Sequence, residues 1–246
     1  MARRRFLVEH IRDKTAELRG EDARHLARVL RAEAGQQYEI ADGEGAYLAE
    51  ISAVEKERVV FRVIEAIDSP PPPVRLTLYT ALIKFDRFEW LVGKATEMGA
   101  AAIVPVNSAR SERGLAEAAR KRVLRWRRIA HESSQQARRV GLPEIGEPMD
   151  FAAVLAEPTG PRYFLDEKPG ATPLMSAIPP PRDRESPECI AVLTGPEGGW
   201  TGTERSAAHA AGWTVVSLGP LILRAETAAM AAAAILTHAW WVSRLE

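Results

Sequence analysis

Two short stretches of the chain combine glycine with residues able to hold and polarise a ligand. The first is Leu193-Thr194-Gly195-Pro196-Glu197-Gly198-Gly199, which continues the apolar run Cys189-Ile190-Ala191-Val192-Leu193. Its three glycines permit positive φ and close approach of the backbone to a bound molecule. The second is Leu218-Gly219-Pro220-Leu221-Ile222-Leu223-Arg224-Ala225-Glu226-Thr227, ahead of an alanine-rich stretch. Either loop alone is also what a tight turn looks like. The sequence has no P-loop, no GxGxxG after a strand, no GxSxG and no HExxH. Its five histidines, at positions 10, 25, 131, 209 and 238, have no metal-ligand spacing, so no metal is expected. A single cysteine, Cys189, excludes an internal disulfide and a multi-cysteine zinc site. Cys189 is itself expected to be buried in its strand.

The elements that must position these loops are read from periodicity. Strands are expected over 75–82, 101–106, 162–165, 188–193 and 214–218. Helices are expected over 87–98, 112–139, 201–211 and 226–245, with Thr201 and Glu204 spaced as a capping box. This alternation predicts an α/β unit with a parallel sheet covered by helices on its faces. Ligands in such sheets bind beyond the carboxyl ends of the strands, where both glycine loops fall.

Pro70-Pro71-Pro72-Pro73 can continue neither a helix nor a central strand and reads as a stiff linker. The expected domains are therefore 1–69 and 74–246. In the first, a helix over 21–33 would place His25, Leu26, Val29 and Leu30 on one face, ringed by Arg24, Arg28 and Arg31. Strands over 38–40, 46–51 and 59–64, with a turn at Asp42-Gly43-Glu44-Gly45, suggest a small β-barrel. Residues 176–187 read as a loop.

The 246 residues are 46% apolar and 27% charged, which are globular proportions. The formal net charge is zero, so only local basic clusters can mark a nucleic-acid partner. Arg3-Arg4-Arg5, Arg24/Arg28/Arg31 and residues 120–128 with Arg138-Arg139 are such clusters. The basic start is followed by no apolar segment, and no run approaches the ~18 apolar residues of a membrane helix. A cytoplasmic protein without membrane attachment is expected.

Thr194-Gly195-Pro196-Glu197-Gly198-Gly199, then Leu218-Gly219, then Ile222-Leu223-Arg224-Ala225-Glu226-Thr227-Ala228 resemble the SPOUT methyltransferases. Within them the chain is similar to the bacterial family that methylates N3 of a uridine in 16S ribosomal RNA. Lys84-Phe85-Asp86-Arg87, Lys94-Ala95-Thr96-Glu97-Met98-Gly99, and Arg125-Trp126 with Gln135 and Arg138 extend the match. Ala225 departs from it, at a position where relatives are expected to carry Thr or Ser.

The resemblance implies a C-terminal SPOUT-type, trefoil-knotted parallel-sheet domain behind a PUA-like β-barrel. It implies S-adenosylmethionine as cofactor, a homodimer with the active site near its interface, and 16S ribosomal RNA within the small ribosomal subunit as partner. Cofactor contacts are then expected from Leu193, Thr194, Gly195, Pro196, Glu197, Gly198, Gly199, Leu218, Gly219, Leu221, Ile222, Leu223 and Thr227. Backbone groups would read the adenine edge, with Leu193, Leu218 and Leu223 around the ring. Because the methyl group is already activated on a sulfonium, the protein must mainly align the attacking nitrogen. Arg224 is the candidate to stabilise a uracil oxygen and Glu226 the candidate proton acceptor, unless the two form only a structural pair. RNA contacts are expected at Arg24, Arg28, Lys84, Arg87 and Arg138. Two other readings stand beside this one. A catalytically silent RNA-binding or ribosome-assembly factor would carry degraded loops, and an enzyme for another adenosine ligand would need a phosphate site.

Overall fold

The computed structural model describes residues 5–72, 74–157, 160–179 and 187–242. Arg3, Arg4 and Pro73 lie outside them, as does 180–186 of the expected loop. The chain divides into two compact units: residues through Pro70 with His131–Leu142, and Pro71–Ala130 with Pro143 onward.

The first unit is built on a six-stranded sheet. Its strands are β1 (Arg5–Leu7), β2 (Ile11–Arg12), β3 (Thr15–Arg19), β4 (Gln37–Ala41), β5 (Ala46–Val54) and β6 (Arg58–Ile67), in the order β1-β4-β5-β6-β3-β2. β1 pairs with β4 in parallel and the other pairings are antiparallel. Alternate residues such as Leu18, Ile40, Ile51 and Phe61 point inward and make the core. The β4–β5 turn is held by Asp42, whose Oδ1 accepts from Glu44 N at 3.1 Å and Gly45 N at 2.9 Å.

The expected helix over 21–33 is only partly realised. α1 (Gly20–Arg24) passes into a π-helical turn at His25–Val29. There Leu30 N–H bonds to His25 O, five residues back, at 3.1 Å. The extra residue in the turn rotates the succeeding side chains by about 100°. Leu26 is buried as expected, while Val29 and Leu30 are exposed. Residues 131–142 belong to this unit through specific bonds. Gln135 Nε2 donates to Asp22 Oδ2 at 2.8 Å, and the Glu39 carboxylate accepts from both Arg5 and Arg138.

The second unit holds an eight-stranded sheet. Its strands are β7 (Val74–Ala81), β8 (Ala102–Asn107), β9 (Glu144–Ile145), β10 (Met149–Asp150), β11 (Arg162–Leu165), β12 (Thr172–Pro173), β13 (Glu188–Thr194) and β14 (Thr214–Ser217). They run in the order β10-β8-β7-β13-β11-β14-β12, with β9 beside β8, and every pairing is parallel. The helices are α2 (Phe85–Glu97), α3 (Leu115–Arg120), α4 (Val123–Gln136, whose residues from His131 onward belong to the first unit), α5 (Phe151–Ala156), α6 (Leu174–Ala177), α7 (Gly202–Ala210) and α8 (Ala225–Val242). One sheet face is covered by a cluster including Leu76, Ile190, Val192, Phe88, Trp126 and Leu236, the other by one including Phe164, Leu193, Trp200 and Trp213. Burial on both faces explains why these strands read as continuous apolar runs.

Three expectations are corrected. Cys189 is exposed, because strand alternation turns it to the face opposite the buried Ile190; its neighbour in register, Arg75, lies between the buried Val74 and Leu76 and is exposed too. The helix expected over 112–139 breaks between α3 and α4, where Arg122 turns to Glu89 Oε1 at 3.1 Å and lies 5.0 Å from the Phe85 ring. The expected loop over 176–187 begins inside α6.

Candidate active site

β13, β11 and β14 are neighbours and point the same way, so their carboxyl ends share one edge of the sheet. The two glycine loops leave β13 and β14, and Asp166-Glu167 leaves β11 between them. Together they enclose a cavity of about 550 Å³. That volume is within the range of small-molecule sites.

The first loop is shaped by what its glycines allow. Gly199 N–H returns to Pro196 O at 2.9 Å, and Gly199 has φ +66°. Of Gly195, Gly198 and Gly199, it alone needs the left-handed region. Gly195 is required by space, since a Cβ there would lie 3.0 Å from the Trp200 indole. Trp200 is fully buried, and its Nε1 donates to Leu165 O at 2.9 Å, tying this loop to β11. The capping box forms as its spacing predicts. Glu204 Oε2 accepts from Thr201 N and Oγ1, both at 2.8 Å, and Oε1 accepts from Ala109 N at 2.8 Å. Arg110 Nη1 donates to Gly198 O at 2.7 Å.

Charged groups border the cavity in a definite pattern. Arg87, from α2, is paired with Glu197 of the first loop. Arg205, on α7, donates through Nε to Asp166 Oδ2 at 2.7 Å and through Nη2 to Asp166 Oδ1 at 2.9 Å and Glu167 Oε1 at 3.1 Å. Burial pushes the Asp166 carboxyl up, but the hydrogen bonds and charge of Arg205 outweigh it and hold the carboxyl below its usual range. Arg224 is exposed on the cavity wall, and its carbonyl accepts Ala228 N–H at 2.8 Å, so it sets the start of α8.

Of the expected cofactor contacts, Gly195, Pro196, Glu197, Gly198, Gly199, Leu218, Gly219, Leu221, Ile222 and Leu223 line this cavity. The other three do not. Leu193 is fully buried in the sheet core, Thr194 Oγ1 bonds to Thr80 Oγ1 at 2.9 Å, and Thr227 is exposed on α8. Glu226 is buried in the first turn of α8 and does not line the cavity, and its Oε2 has no hydrogen-bond partner among the described residues. Leu165, Asp166 and Glu167 were missed, although they lie at the carboxyl end of an expected strand. Of the expected RNA contacts, Arg24, Arg28 and Lys84 are exposed, Arg87 is at the cavity, and Arg138 is committed to Glu39.

A model of the RNA methyltransferase domain matches residues 70–237, and one of the RNA methyltransferase PUA domain matches residues 18–64. The chain belongs to the RNA methyltransferase family. It is 34% identical to the ribosomal RNA small subunit methyltransferase E of Synechocystis sp., over 89% of this chain and 72% of that protein. Its identity to the methyltransferase E of Bacillus subtilis is 30%, over 91% of this chain and 90% of that one. Among solved structures it superposes on methyltransferase E of Neisseria gonorrhoeae bound to S-adenosyl methionine, with TM-score 0.85 and 29% identity over 97% of this chain and 98% of that one. A Legionella pneumophila methyltransferase in complex with the same cofactor gives TM-score 0.83 at 26% identity, over 97% and 98% of the two chains. The resemblance to SPOUT-type ribosomal RNA methyltransferases therefore extends over both units of this RNA methyltransferase.

Proposed function

We propose that this RNA methyltransferase uses S-adenosylmethionine to methylate N3 of a uridine in the 16S RNA of the small ribosomal subunit, in the cytoplasm and as a homodimer. One observation carries the reading: a cavity of about 550 Å³ walled by the glycine loops at the carboxyl ends of three adjacent strands, with Arg224 exposed at its edge. The residues fit the cofactor. Gly195 lets the loop close on the buried Trp200, Gly199 carries no side chain beside Glu167, and the backbone of both loops is open to an adenine edge.

Bound there, S-adenosylmethionine supplies a methyl group already activated by its positive sulfur. What this chain must add is orientation, exclusion of water and stabilisation of charge on the uracil. Arg224 is the group for the last task, since it lines the cavity and is exposed. Arg87 and Lys84, at the start of α2, are suited to RNA phosphates, and Arg24 and Arg28 offer a second cationic patch on the PUA unit. Leu221 and Ile222 line the cavity yet are 78% and 87% exposed, which supports a second copy of the chain as their cover and hence the dimer. No helix among the described residues is long and apolar enough to cross a membrane. The trefoil knot belongs to the same proposal.

The deciding experiment is mass mapping of ribosomal RNA from cells lacking the protein, with methyl transfer restored by the purified chain. One methylated uridine should disappear from the small-subunit RNA. An unchanged methyl pattern would remove the proposal.

A further inference from the structure

Three carboxylates border the cavity: Asp166, Glu167 and Glu197. Two are already engaged. Asp166 is gripped by two N–H groups of Arg205, with its side chain 3% exposed, and Glu197 is paired with Arg87. Glu167 differs. It gives one oxygen to Arg205 Nη2 at 3.1 Å, and its side chain is 46% exposed. Both of its oxygens sit over Gly199: a Cβ on that residue would lie 2.7 Å from Oε1 and 3.6 Å from Oε2. The absence of a side chain at Gly199 is what leaves this carboxylate accessible from the cavity.

We infer that Glu167 recognises the ribose diol of the bound nucleoside, with Arg205 and Asp166 holding its carboxylate in place. This rests on the reading that S-adenosylmethionine occupies the cavity. A carboxylate offers acceptors and no donors, and a cis-diol offers two donors, so the pair is matched and charge-assisted. Acids at the carboxyl end of a parallel strand meet ribose hydroxyls in the same way in dinucleotide-binding sheets. Glu167 leaves β11, the strand between β13 and β14, and so stands between the two loops assigned to adenine. Arg205 fixes its geometry before the ligand arrives, which lowers the cost of ordering it on binding. Arg205 also offsets its charge, which weakens attraction for a cation while leaving the acceptors in place.

The test is calorimetric titration of the full chain and of Glu167→Ala with four probes. They are S-adenosylhomocysteine, its 2′-deoxy and 3′-deoxy counterparts, and 5′-methylthioadenosine, which keeps the ribose but lacks the amino acid. The unmodified chain should lose about tenfold or more in affinity for a missing hydroxyl. Glu167→Ala should lose as much with the intact probes, 5′-methylthioadenosine included, and then be indifferent to the missing hydroxyl. Equal penalties for the deoxy probes in both proteins would overturn the inference. So would a loss seen with S-adenosylhomocysteine but not with 5′-methylthioadenosine, since Glu167 would then face the amino group. Should Glu167→Ala fail to fold, Glu167→Met, which keeps the length of the side chain and removes its oxygen acceptors, carries the same comparison. If the unmodified chain binds neither S-adenosylmethionine nor S-adenosylhomocysteine, the cofactor reading itself falls, and this one with it.

Discussion

Arg87 and Glu197, 110 residues apart in sequence, form an ion pair that joins the start of α2 to the first glycine loop. Their side chains are 34% and 42% exposed, so the pair contributes well under about 1 kcal/mol to stability. Its effect is to place a guanidinium at the cavity. Arg87→Ala should leave the melting temperature nearly unchanged and lower RNA affinity by roughly fivefold, with the salt slope of binding reduced by about 1. Anisotropy titrations of small-subunit RNA across a salt series test this. An unchanged slope would assign Arg87 to the loop alone.

Gly199 and Gly198 should respond differently to substitution despite being adjacent. At Gly199 a side chain meets both a positive φ and Glu167 at 2.7 Å. Gly199→Val should weaken S-adenosylmethionine binding by about 30-fold or more, from backbone strain of roughly 1–3 kcal/mol and loss of the open wall. At Gly198 a Cβ would make a 3.4 Å contact with Arg110, so Gly198→Ala should cost only a few-fold. Equal losses at the two positions, measured by calorimetry, would refute this shape for the loop.

Arg224 and Glu226 are separated by their surroundings. Arg224 lines the cavity, while Glu226 is buried in the first turn of α8, where exposed N–H groups favour an acid. Arg224→Ala should cut single-turnover methyl transfer by about 10² to 10³, with no rescue at high pH, because a charge-stabilising cation is lost. Glu226→Gln should lower the rate by less than about tenfold at neutral pH, below the usual range for a lost proton acceptor. A loss of about 10³ that shrinks as pH rises would instead make Glu226 the base.

The strands β13 and β14 and their carboxyl-end loops are legible in the sequence because largely apolar runs there lead into glycine. Leu193 and Thr194 show the limit of that legibility. They belong to the glycine stretch by sequence, but the strand continues through Thr194, and both side chains are consumed by the sheet interior. Asp166 and Glu167 carry no glycine and no motif; their importance arises from strand order, which places β11 between β13 and β14. The same holds for residues 131–142. The helix expected over 112–139 runs into them with no sign of a boundary, and bonds such as those from Gln135 to Asp22 and from Arg138 to Glu39 reveal that they pack with the first unit. The π-helical turn at His25–Val29 was hidden for a similar reason, since one additional residue per turn leaves no compositional trace.

Asp166 and Arg205 support a prediction about acid. The Asp166 carboxyl is nearly inaccessible, yet Arg205 holds its titration below the ordinary carboxylate range against the effect of burial. A carboxyl that titrates lower when folded than when unfolded contributes stability that is present above its unfolded value, about 4, and is lost as pH falls through its folded one. The melting temperature of the unmodified chain, without ligand, should therefore exceed that of Asp166→Asn by a constant margin between about pH 8 and 5. Removing one member of so buried a pair costs about 3 kcal/mol, or roughly 6 to 10 °C here. Below about pH 4 the margin should narrow as Asp166 takes up a proton. Arg205→Ala sharpens the test. Without the guanidinium only burial acts on Asp166, its titration moves upward, and the deficit of this variant should begin to close at a higher pH than that of Asp166→Asn. Thermal melts by circular dichroism from pH 8 to 3 compare all three proteins. A margin that stays constant to pH 3 would mean that Asp166 stabilises the fold through packing and not through its charge.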